Sequence, residues 1–420
     1  FFDEVIDSYV FLIDEAHNLL ERTRDMYSFT FRDSDFTSLS GNLDEKKHKK
    51  LKNSLAKITE DFYKLETIAK KNPYYFTDEY IDILDKDLIS LSKVMEKFLV
   101  EKTEHPSYDL VLDLYFEINK YLKISDYFTD GFYNVISYDK ESMERTFEIK
   151  CVDPREVLKN KYSLSRSSIF FSATLSPMSY FIKALAGEES LKLRLDMPFN
   201  PNHLLIIKKS LSTRYKDRNR NLVLIAESIN DFVTSKDGNY FIFFPSFSYM
   251  EDIAEYYKDT FDGEIIIQER IMTESDRDAF LSEFTNESNK VGFIVLGGIF
   301  SEGVDLIGDR LIGSMIISVG MPGVSKERDL IKYHFDKEGF SGFDYSYTYP
   351  GLNKVFQAAG RVIRGEDDRG IIYLLDDRYY WQKYMNLFPK HWTNQVMADN
   401  KKDFYKIING FWSIDEKETN

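Results

Sequence analysis

The sequence is poor in cysteine and has no long apolar run. Its single cysteine, Cys151, excludes a disulfide framework within the chain and any cysteine-rich metal site built from the chain alone. No stretch has the pattern of a signal peptide, and no apolar run is long enough to span a bilayer. These absences favour a reducing compartment, and we expect a cytoplasmic protein with no membrane partner.

The chain also lacks an excess of positive charge. Its 55 basic and 70 acidic residues give a net charge of −15, which argues against bulk nonspecific binding of nucleic acid but leaves room for a local basic groove. The length of 420 residues favours two or three domains. Because the chain opens with Phe1 and not with methionine, and enters an apolar run at Val10, we expect it to be the C-terminal part of a larger protein.

The first apolar run ends in acidic residues. Val10–Ile13 is typical of a buried strand, and Asp14, Glu15 and His17 follow it directly. A carboxylate at a strand end can hold hydrated Mg²⁺ beside a triphosphate, and a neighbouring acid can polarise a water for attack on the terminal phosphate. The alternative is a strand that ends in a solvated acidic turn.

Residues 23–131 have the period of helices. Their apolar residues recur every three or four positions, as in Leu51, Leu55, Ile58, Phe62 and Leu65. This spacing predicts an all-helical insertion in the first domain. Residues 132–153 change to the alternating pattern of a β-hairpin, in which Cys151 is a small core residue.

A second apolar strand runs from Ser168 into a turn rich in hydroxyl groups. Ser172 and Thr174 in this turn can link a nucleotide site to a nucleic-acid strand by hydrogen bonds. An ordinary turn, in which Ser176 caps a helix begun by Pro177, is compatible with that role.

The rest of the chain alternates strands and helices. The proline-containing segment Asp196–Pro201 is the predicted linker, so we place a partial first domain at 1–22 and 132–196 and a second domain at 197–420. The strands predicted after it are 204–207, 240–244, 264–268, 292–296, 315–319 and 371–375, and the helices are 221–233, 249–261, 275–284 and 352–363. This alternation predicts a mainly parallel sheet covered on both faces, the α/β class.

The densest basic stretch follows the first of these strands. Lys208, Lys209, Arg214 and Arg218 are close in sequence, and such a cluster in an acidic protein can follow a phosphate backbone. We therefore predict that these four residues bind nucleic acid.

Two further loops and one helix carry candidate binding groups. Ser246 and Ser248 follow one strand, and the loop Gly297–Asp305 follows another. Glu302 and Asp305 in that loop can bind ribose hydroxyls or a partner arginine; a plain acidic loop is the alternative.

The segment Gln357–Arg364 is the centre of the interpretation. Arg361 and Arg364 are three residues apart and Gln357 is four before Arg361, so a helix would present all three on one face. Two guanidinium groups on one face suit a triphosphate, because each can chelate phosphate oxygens. A helix with two surface arginines is the other possibility.

Five of these segments together resemble motifs II to VI of the XPD/DinG family of superfamily-2 helicases. In chain order they are Asp14-Glu-Ala-His17 (a DEAH box), Ser172-Ala-Thr-Leu-Ser-Pro177, Phe243-Phe-Pro-Ser-Phe-Ser-Tyr-Met250, Ser301-Glu-Gly-Val-Asp305 and Gln357-Ala-Ala-Gly-Arg-Val-Ile-Arg364. The helical insertion resembles the arch domain of that family.

The resemblance implies two RecA-like motor domains, the first incomplete here, with ATP bound between them. It implies a monomeric, ATP-driven motor that usually moves 5′ to 3′ on single-stranded DNA and serves DNA repair. The sequence does not distinguish DNA from RNA as the bound strand. Asp14, with Glu15 beside it, would hold Mg²⁺, and Glu15 would position the attacking water. Arg361 and Arg364 would reach the γ-phosphate as arginine fingers.

The resemblance extends to the coupling and contact residues. His17 and Gln357 would couple hydrolysis to domain closure. Glu302, Gly303 and Asp305 would contact the nucleotide. The residues implied to contact nucleic acid are Ser172, Thr174, Ser246, Ser248 and Ser301. Family members often carry a [4Fe–4S] cluster, and its cysteines would lie upstream of Phe1.

One motif of the family is not found in the chain. No Gly-x-x-x-x-Gly-Lys-Ser/Thr loop occurs in the 420 residues, and that loop with its lysine is the main cradle of a triphosphate. We therefore expect the isolated chain to be inactive as an ATPase. Two other functions stay open: a nucleic-acid-binding module without motor activity, and an ATPase coupled to an attached nuclease domain.

Overall fold

A computed structural model describes residues 9–69, 72–258, 263–301 and 303–413. The chain divides into two compact units, one of Phe1–Ala173 with Phe181–Glu189 and the other of Thr174–Tyr180 with Ser190–Asn420. The predicted linker at Asp196–Pro201 lies just inside the second unit. No helix among the described residues is long and apolar enough to cross a bilayer.

The elements up to residue 184 are short strands and longer helices. The strands are β1 (Val10–Ile13), β2 (Phe29–Arg32), β3 (Tyr74–Thr77), β4 (Phe132–Tyr138), β5 (Arg145–Cys151) and β6 (Ser167–Phe170). The helices are α1 (Leu19–Met26), α2 (Asp33–Gly41), α3 (Lys49–Ile68), α4 (Asp85–Glu101), α5 (Tyr108–Ser125), α6 (Arg155–Tyr162) and α7 (Met178–Ala184).

The strand before the acidic residues is only half covered. β1 pairs with β6 in parallel, with Val10 opposite Ser167, and the described residues form no third strand beside this pair. Val10 and Leu12 are 50% and 68% exposed, so the expectation of a buried strand is wrong. Side chains of a strand alternate between two faces, and in this pair one face stays open.

The insertion was predicted to be all-helical, and that prediction is wrong. β2 and β3 are the edge strands of a four-stranded antiparallel sheet with the order β2-β5-β4-β3. The central strands β4 and β5 are the hairpin predicted from sequence. Helices α2 to α5 share one hydrophobic core with this sheet, so the hairpin that we placed in the motor domain packs with the insertion.

The second unit is built on a parallel sheet, as predicted. Its strands are β7 (Leu204–Lys209), β8 (Tyr240–Phe244), β9 (Glu264–Ile267), β10 (Lys290–Val295), β11 (Gly313–Ile317), β12 (Gly370–Leu375) and β13 (Gln395–Met397). Their order is β13-β7-β12-β11-β8-β10-β9, and every pairing is parallel. In such a sheet the carboxyl ends of the strands lie at one edge, where ligands bind in open α/β folds.

Helices cover both faces of this sheet. The helices of the second unit are α8 (Arg218–Val233), α9 (Phe247–Lys258), α10 (Glu274–Ser282), α11 (Lys326–Lys337), α12 (Tyr349–Ala359), α13 (Gln382–Met385) and α14 (Lys401–Trp412). One core contains apolar residues of α10 and α12, and the other contains those of α8, α9 and α14. A sheet buried on both faces explains why its strands are continuous apolar runs in the sequence.

The start of α3 carries a buried histidine that makes stability depend on pH. The His48 ring is 8% exposed and lies 4.8 Å from the His105 ring and 5.3 Å from the Phe98 ring, between centroids. Burial, and then the nearby His105, lower the pKa of His48; Lys102 and Lys47 add to this, whereas Asp44 opposes it.

We expect acid to destabilise this region through His48. The unfolded chain takes up the proton near the ordinary pKa of about 6.5, before the folded chain does, so stability is complete above that pH and falls as the pH drops below it. Urea unfolding at pH 7.5 and 5.5 measures the loss. His48→Asn, which cannot titrate, should show a smaller loss over the same interval. An identical loss in the variant would contradict the assignment.

Candidate functional site

In the first unit, the acidic residues lie where β1 ends. Asp14 and Glu15 are exposed, and the Asp14 carboxylate accepts a hydrogen bond of 2.7 Å from the Glu15 amide. Glu15 has a φ of 48°, in the left-handed region, so the chain turns sharply after the strand. No described residue forms an ion pair with Asp14, which leaves its carboxylate open to solvent and to a cation.

The parallel pairing brings the second hydroxyl-rich segment to these acids. Because β1 and β6 run side by side, Ala16 N donates to Phe171 O, and Ser172 follows next to His17. His17 Nδ1 lies 2.8 Å from Ser172 Oγ, and Ser172 Oγ donates to Glu15 Oε2 at 3.1 Å. His17 is buried and its Nδ1 is also 3.2 Å from Glu15 Oε2. The three side chains form one polar network.

In the second unit, the two predicted arginines do not lie on a helix. α12 ends at Ala359, Gly360 follows as its C-cap, and Arg361 and Arg364 lie in the irregular segment beyond it. The prediction that they share a helical face is therefore wrong. Glycine is a poor helix former, and both guanidinium groups find hydrogen-bond acceptors in a neighbouring loop.

Both arginines meet the loop that follows β10. Arg361 Nη1 and Arg364 Nη2 each donate to the Val304 carbonyl at 3.0 Å, and Arg361 also donates to the Ser301 carbonyl. Arg364 Nε lies 3.7 Å from Asp305 Oδ1, so Asp305 takes an arginine partner, one of the two roles considered for it. Arg361 is buried, whereas the Arg364 side chain is 33% exposed.

A buried carboxylate holds the backbone beside these arginines. Asp368 Oδ2 accepts from the amides of Arg364 at 2.6 Å and Gly365 at 2.7 Å. Its Oδ1 accepts from the Gly308 amide at 3.0 Å. Asp368 was not singled out from the sequence, where it appears as one of three consecutive acids; only its burial distinguishes it.

Three more contacts fix the loop after β10. Gln268, buried after β9, accepts from the Val295 amide through Oε1 at 2.9 Å. Arg277 Nη2 donates to the Gly303 carbonyl at 2.6 Å, and Ser301 Oγ accepts from the Gly297 amide at 2.7 Å. Sequence reasoning missed Gln268 and Arg277. A polar residue directly after an apolar strand was the available signal for Gln268.

The remaining candidate residues of the second unit differ in their burial and their hydrogen bonds. Gly303 has a φ of 64°, which favours glycine, and Gln357 is buried in α12. Ser246 Oγ accepts from the Tyr249 amide at 3.3 Å, so it caps the start of α9, while Ser248 is exposed. Thr174 is buried. Glu302 lies outside the described residues.

The predicted basic patch is not a single surface, which corrects that expectation. Lys208 and Lys209 are neighbours in a strand and point to opposite faces of the sheet. Lys208 Nζ lies 3.2 Å from Gln395 Oε1, and Lys209 Nζ donates to Ser228 Oγ at 2.8 Å. Burial lowers the pKa of both lysines. Arg214 and Arg218 remain at the edge of the sheet.

Comparison with known proteins agrees with this geometry. Residues 229–395 match the family "Helicase C-terminal domain". An ATP-dependent DNA helicase, YoaA of Haemophilus influenzae, is 27% identical over 57% of this chain and 37% of its own length. The helicase subunit XPD of general transcription and DNA repair factor IIH from Dictyostelium discoideum is 25% identical over 63% of the chain and 37% of its own length.

A solved structure extends the likeness to the fold of most of the chain. The structure of S. tokodaii Xpd4 has a TM-score of 0.57 and 16% identity, covering 93% of this chain and 76% of that one. The α/β class with RecA-like domains is thus confirmed. These matches support the resemblance of the chain to helicases of the XPD/DinG type. The chain spans less than two-fifths of the two curated relatives named above.

We expect Arg361 to contribute more to the stability of the second unit than Arg364. Arg361→Ala would leave the Ser301 carbonyl without its charged donor and remove one of the two donors of the Val304 carbonyl, in a buried site, at a cost of about 2 kcal/mol. Arg364→Ala removes a partly exposed group and should cost less than about 1 kcal/mol. Urea unfolding of the two variants measures the difference. Equal losses, or the reverse order, would contradict the contacts described.

Proposed function

We propose that the chain is part of an ATP-dependent DNA helicase. In this function Mg²⁺ and ATP are bound, and hydrolysis drives movement along single-stranded DNA, 5′ to 3′, with unwinding of the duplex ahead. The observation that carries the proposal is the convergence of Arg361 and Arg364 on the loop Ser301–Asp305. That arrangement places two cations and a glycine-containing turn at the edge of a parallel sheet where ligands bind.

The acids after β1 fit a magnesium site. Mg²⁺ prefers oxygen ligands, keeps several waters and usually takes one or two carboxylates, and Asp14 is exposed without an ion pair among the described residues. Bound Mg²⁺ would neutralise phosphate charge. We assign Asp14 to the cation and Glu15 to the attacking water, whose proton it would accept. Ser172 and His17 hold the Glu15 carboxylate in place.

The arginines of the second unit have different surroundings and, in our proposal, different tasks. The Arg364 side chain is 33% exposed and is held by one hydrogen bond to the Val304 carbonyl and a 3.7 Å contact to Asp305, so in our proposal its guanidinium can turn to a phosphate. Arg361 already donates to two carbonyls and would shape the loop. Gln357 and His17 would couple hydrolysis to conformational change, and Gly303, Glu302 and Asp305 would contact the nucleotide.

The residues present do not fit an iron–sulfur cluster. Such a cluster needs four cysteine thiolates, and Cys151, the one cysteine of the sequence, is buried in the core of the insertion. Burial also raises the pKa of its thiol, which opposes the thiolate form that a ligand needs. The predicted cluster, whose cysteines would lie upstream of Phe1, is therefore not built from this chain, and the steps proposed here use ATP and Mg²⁺.

We expect the 420-residue chain, assayed alone, to show no DNA-stimulated ATP hydrolysis. The reason is that it contains no Gly-x-x-x-x-Gly-Lys-Ser/Thr loop to bind the β- and γ-phosphates. Phosphate release with and without single-stranded DNA is the measurement. Turnover comparable to that of an intact relative would contradict the assignment of motifs.

Arg364 should be essential for turnover in an intact protein that includes this chain and a phosphate-binding loop. Because arginine fingers are worth about 10³- to 10⁵-fold in rate, we expect Arg364→Ala to lower kcat at least a hundredfold. Lys402→Ala, which removes an exposed charge on α14, is the matched control and should leave kcat unchanged. A decrease of threefold or less, under about 1 kcal/mol of barrier, would reject the role.

A further inference from the structure

Two exposed aromatic rings lie at the ligand-binding edge of the second unit. Tyr215 is 87% exposed and follows β7, and Trp381 is 49% exposed and follows β12. β7 and β12 are adjacent parallel strands, so both rings come from the same edge of the sheet. Large rings left in water at the rim of a site are candidates for contact with a ligand.

An arginine guanidinium group lies close to each of the two rings. Arg214 Cζ lies 5.4 Å from the centre of the Trp381 ring. Arg218 Cζ lies 5.7 Å from the Tyr215 ring and 4.5 Å from the buried Tyr249 ring. These distances are within the range of cation–π contacts. We call the two ring–cation pairs, which follow adjacent strands, the Tyr215–Trp381 platform.

The loops that carry the platform are anchored to each other. Asp376 is fully buried, and it accepts two hydrogen bonds from the Arg378 guanidinium, of 2.7 and 2.8 Å, one from the Arg378 amide at 2.9 Å, and one from Thr213 Oγ1. Arg214 Nη1 donates to Asp377 Oδ2 at 2.9 Å. The segment after β7 is thereby tied twice to the segment after β12. A ring on a fixed support loses little entropy when a ligand stacks on it.

The local charge also suits a polyanion. Arg214, Lys216, Arg218 and Arg220 stand against two carboxylates, Asp217 and Asp377, which leaves two positive charges in excess. This excess is local, since the whole chain carries −15. Aromatic side chains interleaved with arginines on a positive surface are typical of sequence-independent binding of single strands.

We propose that Tyr215 and Trp381 stack on bases of single-stranded DNA, while Arg214 and Arg218 contact its phosphates. The inference rests on the proposed function and names residues that neither the motif pattern nor the comparisons assign. It keeps Arg214 and Arg218 of the predicted basic patch but uses neither Lys208, which is buried, nor Lys209, which is partly buried and donates to Ser228.

Fluorescence anisotropy can test the stacking role on the whole 420-residue chain. The probes are a labelled oligothymidylate and an abasic strand of equal length, which keeps the phosphates and lacks the bases. The variants are Tyr215→Ala and Trp381→Ala. The matched control is Tyr256→Ala, which removes an exposed ring of α9 near the far end of that helix. Because all three rings are exposed by 38% or more, thermal midpoints should change little in the variants.

The expected results separate stacking from charge. Wild-type protein should prefer the strand with bases, and each platform variant should raise its Kd about tenfold with little effect on the abasic strand. The salt dependence should stay as in the wild type for Tyr215→Ala and Trp381→Ala. It should become shallower for Arg214→Ala with Arg218→Ala, by about 0.7 in log–log slope for each phosphate that the protein no longer neutralises.

Two outcomes would overturn different claims. If the wild-type chain bound no single-stranded DNA at low salt, the proposed helicase function would lose its nucleic-acid site in this chain. If the wild type bound DNA but the platform variants matched Tyr256→Ala on both strands, the platform would be rejected and the helicase proposal would stand.

Discussion

The structure of the second unit depends on how one buried cation is satisfied. Arg361 cannot leave its guanidinium in a closed environment without acceptors, since a buried charge that lacks partners is costly. Its partners are the Ser301 and Val304 carbonyls, and Arg364 adds a second donor to Val304. The conformation of the loop after β10 and that of the turn after α12 are therefore fixed together.

This constraint spreads to the surrounding segments. Asp368 stabilises the turn after α12 by accepting hydrogen bonds from its backbone amides. Gln268, after β9, and Arg277, in α10, form hydrogen bonds with the backbone at the end of β10 and in the loop after it. The motif residues therefore belong to a larger hydrogen-bond network, which also includes Asp368, Gln268 and Arg277. A nucleotide that attracted Arg364 away from Asp305 would act on this network, which gives a physical route from phosphate binding to the shape of the strand-end loops.

The second unit was predictable from sequence because its strands are buried on both faces. Runs such as Tyr240–Phe244 are apolar throughout, and the polar loops after them are separated by turns. The predicted parallel sheet, covered on both faces, was correct for that reason. The helix end at Ala359 was missed, since the periodic pattern continues to Ile363 while the acceptors for Arg361 lie far away in sequence. Lys208 and Lys209 point in opposite directions because side chains alternate along a strand. The predicted strand ended at residue 207, whereas β7 continues to Lys209, so this alternation was not considered for the two lysines.

The first unit was harder to predict, for two physical reasons. β2 and β3 have four residues each, and segments that short take their conformation from the strands they join, β5 and β4. The open face of β1 could not be foreseen because an apolar run does not say what covers it. The contact between His17 and Ser172 was not predicted, since the two residues are 155 positions apart in the sequence.

The most direct measurement is the position of Arg364 in a crystal structure of the intact protein with Mg²⁺ and a non-hydrolysable ATP analogue. The account predicts that its guanidinium leaves Asp305 and donates to the terminal phosphate at about 2.8 Å, the usual length of such a bond. A bound nucleotide with Arg364 still on Asp305, and no arginine at the terminal phosphate, would contradict it.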